Sequence, residues 1–206
     1  MIGLMLWDWR RRNRWYQQYL TLAKAYAGLT VTRTKNFVGM AFPPVISGTW
    51  QGRQVKIQTT FDVNGDLYDH AVRFRQWTGK KGPSLRKIPN MECTWIQVGC
   101  ANPKNMSLYV ATGLGTVRGK PFNQAFAVGV SQGHEAQTAA VLTGPLQKEL
   151  LDVLNEKFLS DFETFALIGN SLIYIESGRP HGEHRVARLG RMLDTMIEVG
   201  NRVDAA

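Results

Sequence analysis

Two glycine turns set what residues 46–75 can become. Ile46-Ser-Gly-Thr-Trp50 runs into Gln51-Gly52 and out along Arg53-Gln-Val-Lys-Ile-Gln-Thr-Thr-Phe61. Asn64-Gly65, the strongest short hairpin signal, then leads into Leu67–Arg75. The pattern predicts two hairpins in succession. Taking Asn64-Gly65 as a two-residue turn pairs Phe61 with Tyr68, Thr59 with His70, Ile57 with Val72 and Val55 with Phe74, all on one face. That face is the expected core face. The other sets Lys56 against Arg73 and Gln54 against Arg75. Like charges directly opposite on neighbouring strands are destabilising, so this arrangement points to an anionic partner.

Strands expected near 93–98 and 107–111 put Ile96, Val98, Leu108 and Val110 on one side and Trp95 and Tyr109 on the other. The outer face then has two readings. Lys56, Arg73, Arg75, Trp95 and Tyr109 form a surface that stacks bases and neutralises phosphates. Alternatively, a helix covers the face, with the two rings as second-layer packing and the cations at its rim. Between the strands, residues 77–89 carry Lys80, Lys81, Arg86 and Lys87 with two Gly and two Pro and no periodicity. This is a loop, either solvated or ordered by an anion.

Helical signals flank the β-rich part. Trp15, Tyr19, Leu22 and Tyr26 recur at helical spacing, predicting a helix over 8–28 that stops near Gly28. Beyond residue 120 the order reads β, α, β, β, α. Phe122–Val130 is strand-like, and Pro145 starts a helix burying Leu146, Leu150, Val153 and Leu154. Residues 162–168 and 172–175 form a hairpin around Gly169-Asn170. A last helix, about 184–203, buries Val186, Leu189, Leu193, Met196 and Ile197. Its Arg185, Arg188, Arg191 and Arg202, answered by Asp194, Glu198 and Asp204, read as a solvated helix face. The fold class is α+β: a largely antiparallel sheet with N-terminal, middle and C-terminal helices. Residues 1–28 are expected to form a basic Trp/Arg-rich N-terminal helix and 29–206 one α+β domain.

Charge is distributed unevenly. Residues 1–60 carry nine Lys and Arg against one acid, 61–120 nine against four, and 121–206 seven against eleven, giving +8, +5 and −4 within a total of +9. A basic half joined to an acidic remainder selects an anionic partner: nucleic acid, anionic lipid or an acidic protein. The start, Met1-Ile-Gly-Leu-Met-Leu-Trp7, places a short apolar tip ahead of Trp9, Arg10, Arg11, Arg12, Arg14 and Trp15. A secretory signal has the opposite order, so export is not expected. The segment is either a solvated helix end or an interfacial anchor with Trp and Arg at headgroup height. No stretch approaches the roughly 20 apolar residues of a membrane span. Cys93 and Cys100, without a CxxC, read as reduced thiols of a cytosolic protein.

Catalytic motifs fail on spacing. Gly113-Leu-Gly-Thr-Val-Arg-Gly-Lys120 has Leu114 where a Walker A loop needs Gly, Pro121 where it needs Ser or Thr, and Arg118 at the third glycine of the dinucleotide fingerprint. Asp62-Val-Asn-Gly-Asp66 has its Gly two positions early for a calcium loop. His181-Gly-Glu-His184 lacks a third ligand nearby in sequence. His70 faces the core of the hairpin, and His134, beside Glu135, opens a helical turn. No GxSxG or HExxH occurs. The chain reads as non-enzymatic, with no metal and no cofactor.

The ordering of Ala27-Gly-Leu29, Ile46-Ser-Gly-Thr-Trp-Gln-Gly-Arg-Gln-Val55, Phe122-Asn-Gln-Ala-Phe-Ala-Val128 and Leu142-Thr-Gly-Pro-Leu146 resembles a family of uncharacterised bacterial proteins. Some of these carry a membrane-anchoring segment upstream of the same soluble body. The resemblance implies a membrane-proximal, non-catalytic role and transfers no site residue, because its motifs are turns, a strand and a helix start. Two functions are therefore expected of the residues. One is an accessory or assembly subunit at the cytoplasmic face of a membrane or on an acidic membrane complex, docking through Trp7, Trp9, Arg10, Arg11, Arg12, Arg14 and Trp15. The other is a single-stranded nucleic-acid binder using the basic and aromatic sheet face.

Overall fold

Gln51 and Gly52 take left-handed φ values of 47° and 78° and fold β2 (Val45–Trp50) onto β3 (Arg53–Thr60), the hairpin that Gln51-Gly52 encodes. The computed structural model describes residues 16–33, 43–60, 93–112, 119–155, 163–178 and 182–206. Around this hairpin it builds one eight-stranded antiparallel sheet. The remaining strands are β1 (Leu29–Thr32), β4 (Cys93–Gly99), β5 (Leu108–Thr112), β6 (Phe126–Val130), β7 (Glu163–Ile168) and β8 (Ser171–Ser177). Their order across the sheet is β1-β2-β3-β4-β8-β7-β5-β6. The first four form a meander. The β7–β8 hairpin, turning at Gly169-Asn170, is inserted between β4 and β5.

This order overturns one sequence expectation. On one edge, β3 pairs with β2 from Arg53 to Gln58, and on the other with β4 from Val55 to Thr60. A strand has only two edges, so none is left for Val72 to pair with Ile57 or Phe74 with Val55. Lys56 consequently faces Ser47 and Gln97 across the ladders, not Arg73. Residues 61–92, with the remainder of that expected hairpin, lie outside the described residues. A second difference is local: Phe122–Ala125 forms one helical turn, and the strand begins only at Phe126. The rest of the predicted order holds, including strands at 93–99 and 108–112 and the final helix at Glu183–Ala205.

Side-chain parity fixes the two faces of the sheet. Ile46, Val55, Ile57, Ile96, Val98, Leu172, Tyr174, Phe165, Leu167, Leu108 and Val110 share one face and one apolar core. Against it pack a helix over 16–24, the helix Gly144–Asn155 through Leu146, Leu150 and Val153, and the 23-residue C-terminal helix through Leu189, Leu193, Met196 and Val203. The last is about 34 Å long, enough to run across most of the sheet.

Asn102 locks the link from β4 to β5. It adopts a left-handed φ of 45°, and its amide donates to the carbonyls of Met106 (2.9 Å) and Gly169 (2.7 Å) while its oxygen accepts from the Met106 N–H (3.1 Å). Asn tolerates this backbone region better than most residues because its short side chain bonds locally. Asn102→Ala is expected to cost about 2 kcal/mol by leaving these buried backbone groups unpaired. The check is a lower urea midpoint at an unchanged m-value.

Candidate docking surface

The N-terminal helix is fastened to the body by its aromatic side. Tyr19, Leu22 and Tyr26 are buried in the main core, as their spacing predicts, and Ala23 is buried with them. The Tyr19 hydroxyl shares a hydrogen bond with Thr59 of β3. Tyr26 meets the Trp50 ring edge-on at 5.3 Å, and its hydroxyl donates to Asp194 on the C-terminal helix at 3.3 Å. Gly190 makes that approach possible, since a Cβ there would lie 2.8 Å from the Tyr26 hydroxyl. Burial, followed by the Asp194 charge and hydrogen bond, pushes the Tyr26 pKa up. Asp194 is also raised, by burial and by Glu198, with the Tyr26 bond opposing. The helix ends at residue 24, short of the expected 28, and a turn over 25–28 that includes Tyr26 leads into β1 at Gly28, whose φ is 93°. Just past β1, the Arg33 guanidinium sits 5.3 Å from the centre of the Tyr16 ring.

Gln17, Thr21 and Lys24 form the exposed side of this helix, and Ala25 just after it is exposed as well. Trp7, Trp9, Arg10, Arg11, Arg12, Arg14 and Trp15, the expected docking residues, lie immediately before it in sequence and outside the described residues.

The face opposite the main core is two-toned. Across β1–β3 it carries Thr30, Thr32, Ser47, Thr49, Gln54, Lys56 and Gln58, a polar surface on which Lys56 is exposed. Across β4, β8, β7 and β5 it is apolar and buried, with one cluster of Cys93, Trp95, Ile173 and Ile175 and another of Tyr109, Ala111 and Ala166. Trp95 and Tyr109 thus lie on the predicted side, but they are only 8% and 2% exposed. No open ring face is left for a base to stack on, which favours the packing reading of these two residues. Arg73, Arg75, Lys80, Lys81, Arg86 and Lys87 lie outside the described residues.

The charged groups of the C-terminal helix divide: Arg191, Asp194, Glu198 and Arg202 are exposed, as expected of a solvated face, whereas Arg188 is fully buried and Arg185 and Asp204 are drawn into ion pairs. Arg188 and Glu176 of β8 have no exposed side-chain surface and make a two-pronged ion pair at 2.6 and 2.8 Å. Arg185 adds contacts of 2.9 and 3.0 Å to the same carboxylate, and the Tyr174 hydroxyl donates to it at 2.6 Å. Burial alone would push Glu176 up. The Arg188 hydrogen bonds and charge, the Arg185 charge and the Tyr174 bond outweigh it and hold Glu176 below the ordinary carboxylate value.

Near the other end of the helix, Asp204 accepts from Arg53 at 2.7 Å and from the Ala101 N–H at 2.6 Å. Arg53 in turn donates to the Gly99 carbonyl and to Asn201. Arg191 donates to Glu149 on the neighbouring helix at 3.2 Å. These pairs tie helix to sheet and helix to helix. Parity along β8 flags Glu176, since it follows Leu172 and Tyr174 on the core side.

Neither thiol is poised as a nucleophile. Cys93 is raised to about 11 by burial and by Glu176. Cys100 is raised to about 11 by burial and by Asp204, with Arg53 opposing. Neither forms a disulfide, and both are buried. Among the described residues, no three His, Cys, Asp or Glu side chains gather to hold a metal, and no helix is long and apolar enough to cross a membrane. His134 opens its turn as expected, bridging the Ser131 hydroxyl and the Lys104 carbonyl at 3.1 Å each.

The geometry therefore defines an α+β protein whose described polar clusters join secondary-structure elements. The chain matches no protein-family model, no curated protein and no solved structure.

Proposed function

We propose that the protein is a non-catalytic accessory or assembly subunit. It docks at the inner, cytoplasmic face of a membrane, on the anionic surface or on an acidic membrane-bound complex, through its basic N-terminal half. The observation that carries this reading is how the N-terminal helix is seated. It is held to the sheet through Thr59, and the turn that ends it is held to Trp50 and to Asp194 of the C-terminal helix by Tyr26. Whatever the Trp/Arg run ahead of it grips is thereby coupled to the whole body. The +8 charge of residues 1–60 supplies the long-range attraction, and Trp7, Trp9 and Trp15 supply the rings suited to an interface. The resemblance to membrane-proximal bacterial proteins points the same way.

The test is co-sedimentation with vesicles of anionic phosphatidylglycerol and of neutral phosphatidylcholine, using the full chain and a chain lacking residues 1–15. The full chain is expected to sediment with the anionic vesicles, more weakly as salt rises. Removing the segment, with its four arginines, is expected to reduce binding at least tenfold, at about 1 kcal/mol per cation near the surface. Equal binding by both chains, or none by either, overturns the lipid form of the proposal. A single-stranded oligonucleotide runs alongside. Tight, steeply salt-dependent binding that survives the truncation would favour the nucleic-acid reading instead.

A further inference from the structure

Among the described residues the sheet ends on β6, and no strand of theirs covers that edge. Natural edge strands usually carry a charge, a proline or a bulge that discourages pairing with another chain. Phe126-Ala-Val-Gly-Val130 has no charged residue and no proline. Val128 is 38% exposed, the one large hydrophobic side chain so exposed among the described residues. The opposite edge, β1, carries Thr30 and Thr32, whose hydroxyls bond the backbone of β2, and is followed by Arg33.

The ladder shows which backbone groups point outward. β5 pairs with β6 in the register Leu108↔Val130, Tyr109↔Gly129, Val110↔Val128, Ala111↔Ala127 and Thr112↔Phe126. One step beyond, the Ser131 N–H donates to the Ser107 carbonyl at 2.8 Å, marking a hydrogen-bonded pair. Antiparallel pairs alternate between hydrogen-bonded and non-hydrogen-bonded. Gly129 and Ala127 therefore bond β5, whereas Val130, Val128 and Phe126 turn their N–H and C=O groups away from it. The Phe126 N–H is taken by the Phe122 carbonyl of the helical turn before it. Among the described residues no strand pairs with the outer edge formed by the others.

We propose that β6 is a self-association edge, pairing antiparallel with β6 of a second copy of this chain around Val128. The occupant follows from the strand's own symmetry. A two-fold axis through Val128 sets Val128 opposite Val128 of the other copy, Phe126 opposite Val130 and Ala127 opposite Gly129. Apolar residues then meet apolar ones on the core face, and the two smallest meet on the other face. This register uses all three outward-facing residues. A shift of one residue in either direction carries Phe126 or Val130 past the end of the partner strand. Roughly four ladder bonds form, Val128 to Val128 and Val130 to Phe126 in each direction. So short an interface is well below the standard size, so the dimer is weak and depends on concentration.

Two measurements on the full chain test this. Sedimentation velocity over a concentration series is expected to show a monomer–dimer equilibrium for the wild type. V128K and V128E alone are expected to be monomeric, because each places like charges face to face across the axis. An equimolar mixture of the two is expected to regain a dimer. Only a strand that faces its own copy predicts this rescue. Amide hydrogen exchange on the wild-type protein needs no variant. The Val128 and Val130 amides are expected to gain protection as concentration rises, while Ala127 and Gly129, bonded within the sheet, do not change. A wild type that stays monomeric, association undiminished in V128K and V128E, or Val128 exchange independent of concentration would each overturn the proposal.

Discussion

Glu176→Leu is expected to cost about 3–5 kcal/mol, the penalty for leaving a buried charge without its partner. The carboxylate neutralises Arg188 in a setting where neither side chain reaches solvent. Arg185, at 14% side-chain exposure, lies closer to water than Arg188 does. The loss should appear as a lower urea midpoint at unchanged m, with the far-ultraviolet spectrum of the native baseline retained. The double variant E176L/R188M should recover most of it, since removing both charges removes the desolvation they required. A single variant as stable as the wild type would mean that Arg188 finds another counter-charge.

The pH dependence of this stabilisation has a definite sign. Glu176 is held below its ordinary 4.5 in the folded chain, so its contribution is complete above that pH. The contribution disappears as the pH falls toward the lower native value, where the unfolded chain has already taken up its proton. Asp204 adds to the same acid limb from its ordinary 3.8. Burial opposes its ionisation, and the Arg53 and Ala101 hydrogen bonds overcome it. Unfolding midpoints below about pH 4.5 should therefore fall steeply in the wild type and more gently in E176L/R188M.

Gly48→Ala is the second large effect, expected at about 3 kcal/mol from steric overlap and backbone strain together. Gly48 sits in β2 at a φ of 152°, opposite Leu29 of β1. A Cβ there would run into the Gly28 carbonyl oxygen and lie 3.1 Å from the Leu29 Cα, both backbone atoms that cannot swing aside. Relief requires β1 to lift from β2. Amide exchange across Leu29–Thr32 should accelerate while exchange in β4 and β8 stays slow. Gly52→Ala is the control. Its Cβ would meet nothing within 4 Å, so only the strain of its φ of 78° remains. Since β1 continues from the N-terminal helix, Gly48→Ala should also loosen whatever the Trp/Arg segment holds.

Local signals were legible wherever one strand or helix decided its own fate. The left-handed pair Gln51-Gly52, the alternation in β4, β5, β7 and β8, and the buried stripe of the C-terminal helix all appear in the sequence. Neighbour choice was not legible. The pattern of residues 53–61 fits a partner after Asn64-Gly65 as well as it fits β4, because both have apolar residues at the same parity. Chain separation alone distinguishes them, and closure entropy discriminates weakly between a two-residue turn and the 32 residues that separate β3 from β4.

Arg188 departs from the expected solvated face for a related reason. Arginine is almost never fully buried unless paired, and its partner lies on a different element. Yet Arg188, Met192, Thr195 and Val199 share a helical stripe and are all buried, so the phase carried information that the residue type concealed. Of the candidate docking residues, composition showed only where charge and aromatic rings concentrate. What they bind is a property of the partner.

The strand order also imposes a schedule on the chain as it is made. β4 is complete once residue 99 has emerged, but its second neighbour, β8, comes only with residues 171–177. β5 likewise waits for β7, residues 163–168. The sheet therefore cannot be closed from the N-terminus onward. Its centre can be filled only once the β7–β8 hairpin has been made, after the strands on either side of it. Until then both inner edges present unpaired ladders, the form in which a nascent chain is most prone to pair with its neighbours. For this protein, the demanding moment of biogenesis falls late in synthesis, when the seventh and eighth strands arrive.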